Sequence, residues 1–219
     1  MTETAAATPA LHLSTARGHW VVAATVLGSG MAALDATVVG IALPAIGRDF
    51  HAGIAGLQWV VNAYTLTLAG LLLLGGTLGD SYGRRKVFVI GVVWFALASL
   101  LCGVAPNIEV LIAARALQGV GGAMLTPGSL AILQASFAED DRMAAIGAWS
   151  GLGGVATAIG PFLGGWLIGA VSWRLVFVIN LPLAAVVLAI SARLVPETKS
   201  PGPAWAAWAA RSARSSAGG

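Results

Sequence analysis

The stretch GTLGDSYGRRK, residues 76–86, decides the fold because it is a short basic turn between two long apolar runs. Its last three residues, Arg84, Arg85 and Lys86, are consecutive cations, and each flanking run has the length of a membrane-spanning helix. Two spanning helices joined by so short a turn form a tight hairpin. We expect this turn to face the cytoplasm, because Lys and Arg near helix ends stay on that side of a membrane.

The composition predicts an integral membrane protein. The 219 residues are 58% hydrophobic and only 10% charged, with a mean hydropathy of +0.85, whereas a soluble domain carries about 25% charged residues. The net charge of +3 comes from cations that are spread over the loops, which is typical of membrane topology rather than of a nucleic-acid-binding patch. We therefore predict the lipid bilayer as a partner and no nucleic acid.

Six apolar stretches are each close to the roughly 20 residues that a spanning helix needs. They predict an all-α protein with six transmembrane helices near residues 20–43, 57–79, 87–104, 108–133, 144–170 and 175–194. The domains expected around them are a cytoplasmic N-terminal tail (1–18), a six-helix bundle (19–195) and a polar, disordered cytoplasmic tail (196–219).

The distribution of cations predicts the orientation. With the N-terminus inside, nine cations fall in cytoplasmic segments, only Arg48 and Arg174 fall outside, and Arg115 is left within a helix. This asymmetry favours a multi-pass protein of the cell membrane with both termini in the cytoplasm.

Two charged residues lie deep inside predicted helices, Asp35 in the first and Arg115 in the fourth. A carboxylate at the centre of a membrane helix costs about 2.5–3.5 kcal/mol, so Asp35 must face protein or water. Either it binds and releases a proton, or it is a structural carboxyl group bonded to a neighbouring helix. Arg115 keeps its charge and needs a partner, so we expect a direct or water-bridged link to Asp35. The alternative is that Arg115 reaches out to the surface.

Uncharged polar residues add a candidate cavity. Gln58, Asn62 and Thr65 share one face of the second helix, and such a face either lines a cavity or bonds a neighbouring helix. Gln118 follows Arg115 by three positions on the same face of the fourth helix. We include these four residues as candidates for a substrate cavity.

Glycine is dense in the fifth helix, where three pairs are spaced for close helix packing. They are Gly147 and Gly151, Gly160 and Gly164, and Gly165 and Gly169. Pro161 removes one backbone hydrogen bond and is expected to kink the helix.

The basic turn also has two interpretations. Gly76, Gly79 and Gly83 allow close approach or a sharp turn, and Asp80 lies four residues before Arg84, which allows an ion pair along one helical face. The alternative is a plain hairpin with cations that reach to the membrane surface. The chain contains no phosphate-binding loop, catalytic triad or metal-ligand spacing, and Cys102 is its only cysteine. We therefore predict no cofactor, no metal and no enzymatic activity.

The basic turn resembles the signature loop of the major facilitator superfamily, G-x-L-x-D-x-x-G-R-[KR]. The matching residues are Gly76, Leu78, Asp80, Gly83, Arg84 and Arg85. Ser81 stands where the family often carries Arg, which implies a thinner charge network. The resemblance implies that this loop latches the cytoplasmic side of a transporter.

Four other stretches resemble motifs of that superfamily: the stretch in the fourth helix resembles a motif of the whole superfamily, and the other three resemble motifs of its drug:proton antiporters. They are LDATVVGIALP (34–44), with Gly40 in place of Asn; LIAARALQGVGGAM (111–124); AIGPFLGGWL (158–167), matched by Gly160, Pro161, Gly164 and Gly165; and SWRLVFVINLP (172–182). The last is similar to a stretch of the fourteen-helix branch. In the family the Arg of the fourth-helix motif is associated with proton coupling, which implies that role for Arg115.

The resemblance implies the N-terminal half of a proton-coupled exporter. Each half of such a transporter has two inverted three-helix repeats, and the substrate binds between the halves near the midplane. The chain would then need a second half or a second copy of itself. Asp35 would take up a proton, Arg115 would link it to the cavity, and the fifth helix would bend at Gly160 and Pro161. The substrates implied are lipophilic, often cationic, small molecules.

Two alternatives remain open at this point. One is a non-transporting membrane protein that serves assembly or interaction. The other is a truncated product, because the residues after Pro196 are dense in Ala, Arg, Ser, Trp and Gly and resemble a shifted reading frame.

Overall fold

The computed structural model describes residues 10–198, and this part of the chain is a bundle of helices. The helices are α1 Ala16–Phe50, α2 Ile54–Tyr82, α3 Arg84–Gly103, α4 Ile108–Ser136, α5 Glu139–Ala170, α6 Leu175–Val178 and α7 Asn180–Leu194. Because α6 and α7 form one span, Leu175–Leu194, six segments are long and apolar enough to cross a membrane. The predicted number and order of spanning helices are confirmed.

The predicted spans leave residues 44–56 and 134–143 as linkers. These two linkers are wrong, because the helices extend further into both stretches than expected. Helix α1 continues through Pro44 to Phe50, because Ile46, two residues beyond the proline, is fully buried in a cluster of apolar side chains. Helix α5 begins at Glu139 with three acidic residues in its first turn, which favours a helix N-terminus. The connections are therefore only residues 51–53 and 137–138.

Two clusters of buried apolar side chains hold the bundle together. One includes Met31, Phe88 and Phe95, and the other includes Val38 and Phe177. Because α1 contributes to the first cluster up to Ala32 and to the second from Leu34, the boundary between them falls at the level of Asp35.

The helices differ in how much of their surface the bundle buries. About half of the most apolar stretch is buried in α1, α3 and α4, but only 17% is buried in α2 and in α5. The side chains of α2 and α5 that point away from the bundle form what we call the open face. Its large apolar members include Leu66, Leu73, Leu152, Ile159 and Phe162.

The glycines of α5 divide between packed and open positions. A Cβ atom at Gly164 would lie 2.7 Å from Val38 Cγ1, so α5 approaches α1 as closely as a glycine allows. Gly160 packs in the same way against Thr37, whereas a Cβ at Gly165 would meet no atom within 4 Å. The predicted Gly160 and Gly164 contact therefore forms. The other two predicted pairs, Gly147 with Gly151 and Gly165 with Gly169, do not pack on any described residue.

Part of the expected N-terminal tail packs on the bundle instead. The Leu11 amide donates to Ser136 O at 2.8 Å, and the Ala138 amide donates to Leu11 O at 3.0 Å. Leu11 is buried, and the Thr15 side chain caps α1, which begins at Ala16. The ordered bundle therefore starts before residue 19. Most of the expected C-terminal tail, residues 199–219, lies outside the described residues.

Candidate functional site

The two charged residues predicted inside the membrane meet in the centre of the bundle. Arg115 Nη1 lies 2.5 Å from Asp35 Oδ2, and the two side chains are 1% and 0% exposed. The expected direct link is confirmed. The alternative, in which Arg115 reaches the outer surface, is wrong because the guanidinium group is fully enclosed.

Three uncharged polar side chains complete this centre. Asp35 Oδ1 accepts hydrogen bonds from Gln118 Nε2 at 2.9 Å and from Asn180 Nδ2 at 3.2 Å. Ser99 Oγ accepts from Gln118 Nε2 at 2.7 Å and from Asn180 Nδ2 at 3.2 Å. All three side chains are fully buried, so α1, α3, α4 and α7 meet through polar groups. We call Asp35, Ser99, Arg115, Gln118 and Asn180 the polar centre.

Helix α2 and two aromatic rings enclose the guanidinium group of Arg115. Its Nη1 donates to Gln118 Oε1 at 2.6 Å, and its Nε donates to the Val60 carbonyl oxygen at 3.1 Å. The guanidinium carbon lies 4.1 Å from the centroid of the Tyr64 ring and 5.9 Å from that of Phe177. Aromatic faces attract such a cation. These contacts hold the Arg115 side chain inside the bundle, where it is 1% exposed.

Gln118, a candidate cavity residue from the sequence, lies in the closed polar centre instead. Gln118 is 0% exposed, because its amide is used entirely by Asp35, Ser99 and Arg115. Ser99 and Asn180 were not predicted as site residues. The available signal was that Ser99 is a lone hydroxyl in the apolar α3 and Asn180 a lone amide in the last span.

The other predicted cavity residues, Gln58, Asn62 and Thr65, are all exposed on α2. Thr65 Oγ1 donates to the Val61 carbonyl oxygen of its own helix at 3.1 Å. Within residues 10–198, none of the three bonds to another helix, so they lie on the open face rather than at a helix contact.

A hydroxyl-lined cavity of about 250 Å³ lies between α1, α4 and α5. Its polar lining includes Ser29, Thr126, Trp149 and Thr157, and Gly153 leaves room at its mouth. Trp149 Nε1 donates to Ser29 Oγ at 2.7 Å. No ionisable residue lines it. These residues are not found from the sequence, because isolated Ser and Thr in apolar helices do not show the spacing that marks a polar helix face.

The basic turn is tied to the neighbouring helix ends at the same end of the bundle. Arg84 donates from Nε at 3.0 Å and from Nη2 at 2.8 Å to Asp80 Oδ1, so the predicted pairing of these two residues is confirmed. Arg85 Nη2 donates to the Ala192 carbonyl oxygen in α7 at 2.7 Å. Gly83 has a φ of 113° and a Cβ there would lie 2.5 Å from Glu197 Oε1, so this position favours glycine on both conformational and steric grounds.

The predicted hinge lies in an unbroken helix. Pro161 is within α5, which continues from Glu139 to Ala170. Gly160 and Gly164 face α1, whereas Gly165 faces open space. Gly76, the first residue of the basic-turn motif, has only the Pro127 side chain near its position. Among the described residues no group of His, Cys, Asp and Glu has the arrangement of a metal site.

Six apolar spans around a buried ion pair define a polytopic α-helical membrane protein. More specifically, the chain belongs to the Major Facilitator Superfamily, whose family model matches residues 25–217. Because this is a superfamily of transporters, the expectation that the chain is not an enzyme is met.

Similar proteins include several that are named for drug resistance and export. The chain is 45% identical over 176 residues to the multidrug resistance protein Stp of Mycobacterium tuberculosis, covering 80% of this chain and 33% of that protein. It is 42% identical to the tetracenomycin C resistance and export protein of Streptomyces glaucescens, covering 75% of this chain and 31% of that protein. The probable actinorhodin transporter of Streptomyces coelicolor is 41% identical, covering 84% of this chain and 32% of that protein.

A solved structure shows the same fold. It is a bacterial homologue of the human lysosomal transporter Spinster in an inward-facing, unoccupied conformation, with a TM-score of 0.70 and 22% identity. The similarity covers 87% of this chain and 46% of that one. The chain spans about one third of the length of the relatives named above.

Proposed function

We propose that the chain is the N-terminal half of a proton-coupled exporter of lipophilic small molecules. The expected location is the cell membrane, with both termini in the cytoplasm. The exporter is completed across the open face by a second six-helix half or by a second copy of the chain. The observation that carries the proposal is the fully buried ion pair between Asp35 and Arg115.

The ion pair links a proton to the shape of the bundle. A proton on Asp35 would leave the Arg115 charge buried without its partner, and breaking a buried pair in this way costs about 3–5 kcal/mol. Protonation therefore disfavours the packed arrangement and favours one in which Arg115 gains water or another partner. A proton-coupled transporter requires such a link, because a ligand shifts the balance between two conformations only when it binds them differently.

Access to Asp35 supports the same interpretation. Its carboxylate is 0% exposed and every oxygen is occupied by Arg115, Gln118 or Asn180. A proton can reach it only after the contacts between α1 and α4 loosen. Proton uptake is thereby restricted to one conformation of the transport cycle.

The substrate is expected to bind along the open face. Gln58, Asn62 and Thr65 on α2 are exposed there, and the hydroxyl-lined cavity opens between α1 and α5. Relatives named for tetracenomycin C and actinorhodin support small molecules as the substrate class, and the large apolar side chains of the open face favour lipophilic ones. The cavity lacks an acidic lining residue, so recognition of a cationic substrate would need a carboxylate from elsewhere in the completed transporter.

The cytoplasmic turn supplies the proposed latch. Asp80 and Arg84 fix the end of α2 to the start of α3, and Arg85 joins α3 to α7. Bending of α5 near Gly160 and Pro161 would let the open face move while the α1 contact at Gly164 is kept.

The test is energised transport by the completed protein. The chain is co-expressed with the part of the multidrug resistance protein Stp that it does not match, and ethidium uptake is measured in everted membrane vesicles with an imposed proton gradient. We expect uptake with both halves, and its loss when a protonophore collapses the gradient. Asp35→Asn should abolish it, whereas Asp49→Asn, at an exposed carboxylate of the same helix, should not. Uptake that is unchanged by Asp35→Asn would remove this carboxyl group from the mechanism.

A second candidate function is assembly without transport, and the open face favours it as well. Large apolar side chains such as Leu73 and Phe162 are 86% and 81% exposed there, which suits burial against another membrane protein. Stable association with the second half but no gradient-dependent uptake would support this candidate over the exporter.

A further inference from the structure

Helix α3 begins with three cations, and they are not equally compensated. Arg84 is paired with Asp80, and Arg85 is bonded to the Ala192 carbonyl oxygen. Lys86 is exposed and makes no hydrogen bond or ion pair with any residue between 10 and 198. The first turn of α3 contains no acidic residue, although a helix N-terminus favours negative charge. The Glu197 carboxylate lies against Gly83, the residue before this turn, so Lys86 is the cation of this turn that is left for an anion from outside the chain.

Two grooves meet beside Lys86, one on each flank of α3. The groove between α2 and α3 has a volume of about 260 Å³ and an apolar lining that includes Leu78 and Met124, with Tyr82 at its mouth. The groove between α3 and α7 has a volume of about 420 Å³ and includes Leu188 and Ala192. Lys86 and Ile90 line both grooves, so α3 forms a ridge between them.

Lys86 is also the first residue of a stripe that faces away from the bundle. Ile90, Trp94, Leu97 and Leu101 follow it at helical spacing and are between 42% and 58% exposed. An exposed apolar stripe on a spanning helix faces lipid. The grooves and the cation therefore lie where acyl chains and headgroups of one membrane leaflet meet.

We propose that this end of α3 binds one anionic phospholipid of the cytoplasmic leaflet. Its phosphate lies on Lys86, and its two acyl chains lie in the two grooves on either side of Ile90. The geometry matches a molecule with one anionic head and two apolar chains. Basic pockets between membrane helices on this side bind anionic headgroups in this way.

The charges near the grooves favour an anionic over a zwitterionic lipid. Glu197 lines the groove between α3 and α7, but its carboxylate lies against Gly83 and Asp80 is used by Arg84. Lys86 is then left to the ligand, with Arg85 beside it. A headgroup with its own cation would gain less here, because that cation would lie close to Lys86 and Arg85.

The test is native mass spectrometry of the purified 219-residue chain in a non-ionic detergent. Phosphatidylglycerol and phosphatidylcholine with the same acyl chains are titrated separately. We expect one phosphatidylglycerol per chain, bound more tightly than phosphatidylcholine, and a dissociation constant about fivefold higher in Lys86→Gln, as loss of one cation near the headgroup predicts. Arg193→Gln is the matched control, because it removes a cation at the end of α7 that lines neither groove. Equal affinity for the two lipids, or equal losses in both variants, would overturn the site.

Two further variants test the arrangement of the chains. Leu78→Trp fills the groove between α2 and α3, and Ala192→Trp fills the groove between α3 and α7. If one lipid straddles α3, each variant weakens binding of the same single lipid. Two lipids per chain, or an effect of only one tryptophan, would contradict the straddling arrangement. Circular dichroism of each variant checks that the helical content is unchanged, so that loss of binding is not loss of the fold.

Discussion

The polar centre and the open face contain similar polar residues, which are buried in the first and exposed on the second. Gln118 on α4 is fully buried and bonds three side chains of the polar centre, whereas Asn62 on α2 is exposed and bonds to no other helix within the described range. The hydrogen-bonding groups of Gln118 are paired within the chain, whereas those of Asn62 are available to a partner or a substrate outside it. The difference indicates that changes in the polar centre act on the stability of the isolated chain. Changes on the open face should act only on association or transport.

The largest effect on stability is expected from Asp35→Asn. This change leaves the Arg115 charge buried without a counter-charge, and the free energy of unfolding should fall by about 3–5 kcal/mol. The measurement is unfolding of the 219-residue chain in mixed micelles with increasing sodium dodecyl sulfate, followed by circular dichroism.

A double variant separates charge from packing in that experiment. Asp35→Asn with Arg115→Gln leaves no buried charge, so it should be more stable than the sum of the two single losses predicts. Strict additivity would mean that the two side chains do not depend on each other, contrary to the 2.5 Å contact.

The next largest effect is expected when Gln118→Leu is compared with Asn62→Leu. Leucine at position 118 removes hydrogen bonds to Asp35 and Ser99, and leaving buried polar groups unsatisfied costs about 1–3 kcal/mol. Leucine at position 62 faces outward and should change stability by less than about 0.5 kcal/mol. The same unfolding titration checks both. Similar losses would show that α2 is enclosed in the isolated chain.

Two adjacent glycines of α5 give a finer comparison. An alanine Cβ at position 164 would lie 2.7 Å from Val38 Cγ1, whereas at position 165 it would meet nothing within 4 Å. Gly164→Ala should therefore destabilise the chain by about 1–3 kcal/mol through overpacking. Gly165→Ala should stabilise it by up to about 1 kcal/mol, since alanine is the better helix former. If both variants are stabilised, α5 does not pack on α1 in the way the structure shows.

The sequence was sufficient for the number of spans, and it suggested the link between Asp35 and Arg115 beside an alternative that only the structure excludes. Apolar length determines the number of spans, and the link is suggested because a charge inside a membrane needs a partner and few are available. Ser99 and Asn180 could not be found in this way, since a neutral polar side chain has many potential partners and only the packing of α3 against α7 selects them. Glycine spacing in α5 likewise marks surfaces that allow close approach, but not which of them another helix approaches. The end of α1 was also missed, since the first span was predicted to end at residue 43, whereas tertiary packing continues the helix to Phe50.

The smallest effect is expected at the second ion pair of α1. Asp49 accepts hydrogen bonds from Arg174 Nη1 at 2.8 Å and from Trp173 Nε1 at 3.0 Å, but the Arg174 and Asp49 side chains are 37% and 44% exposed. Asp49→Asn keeps an oxygen that can accept from Trp173, so only the attraction between charges is lost. Because solvent screens exposed charges over about 10 Å at 0.1 M salt, the effect should be small and should vanish in high salt.

Salt dependence therefore separates the two ion pairs of α1 more clearly than the size of either effect. The loss caused by Asp35→Asn should be the same at low and high salt, since the polar centre is closed to ions, whereas the loss caused by Asp49→Asn should disappear. Repeating the unfolding titration with sodium chloride checks this in both variants. A salt-sensitive loss in Asp35→Asn would mean that water and ions reach Arg115 in the isolated chain. Closure of the polar centre to ions would then need a partner across the open face, because α1, α3, α4 and α7 alone would not provide it.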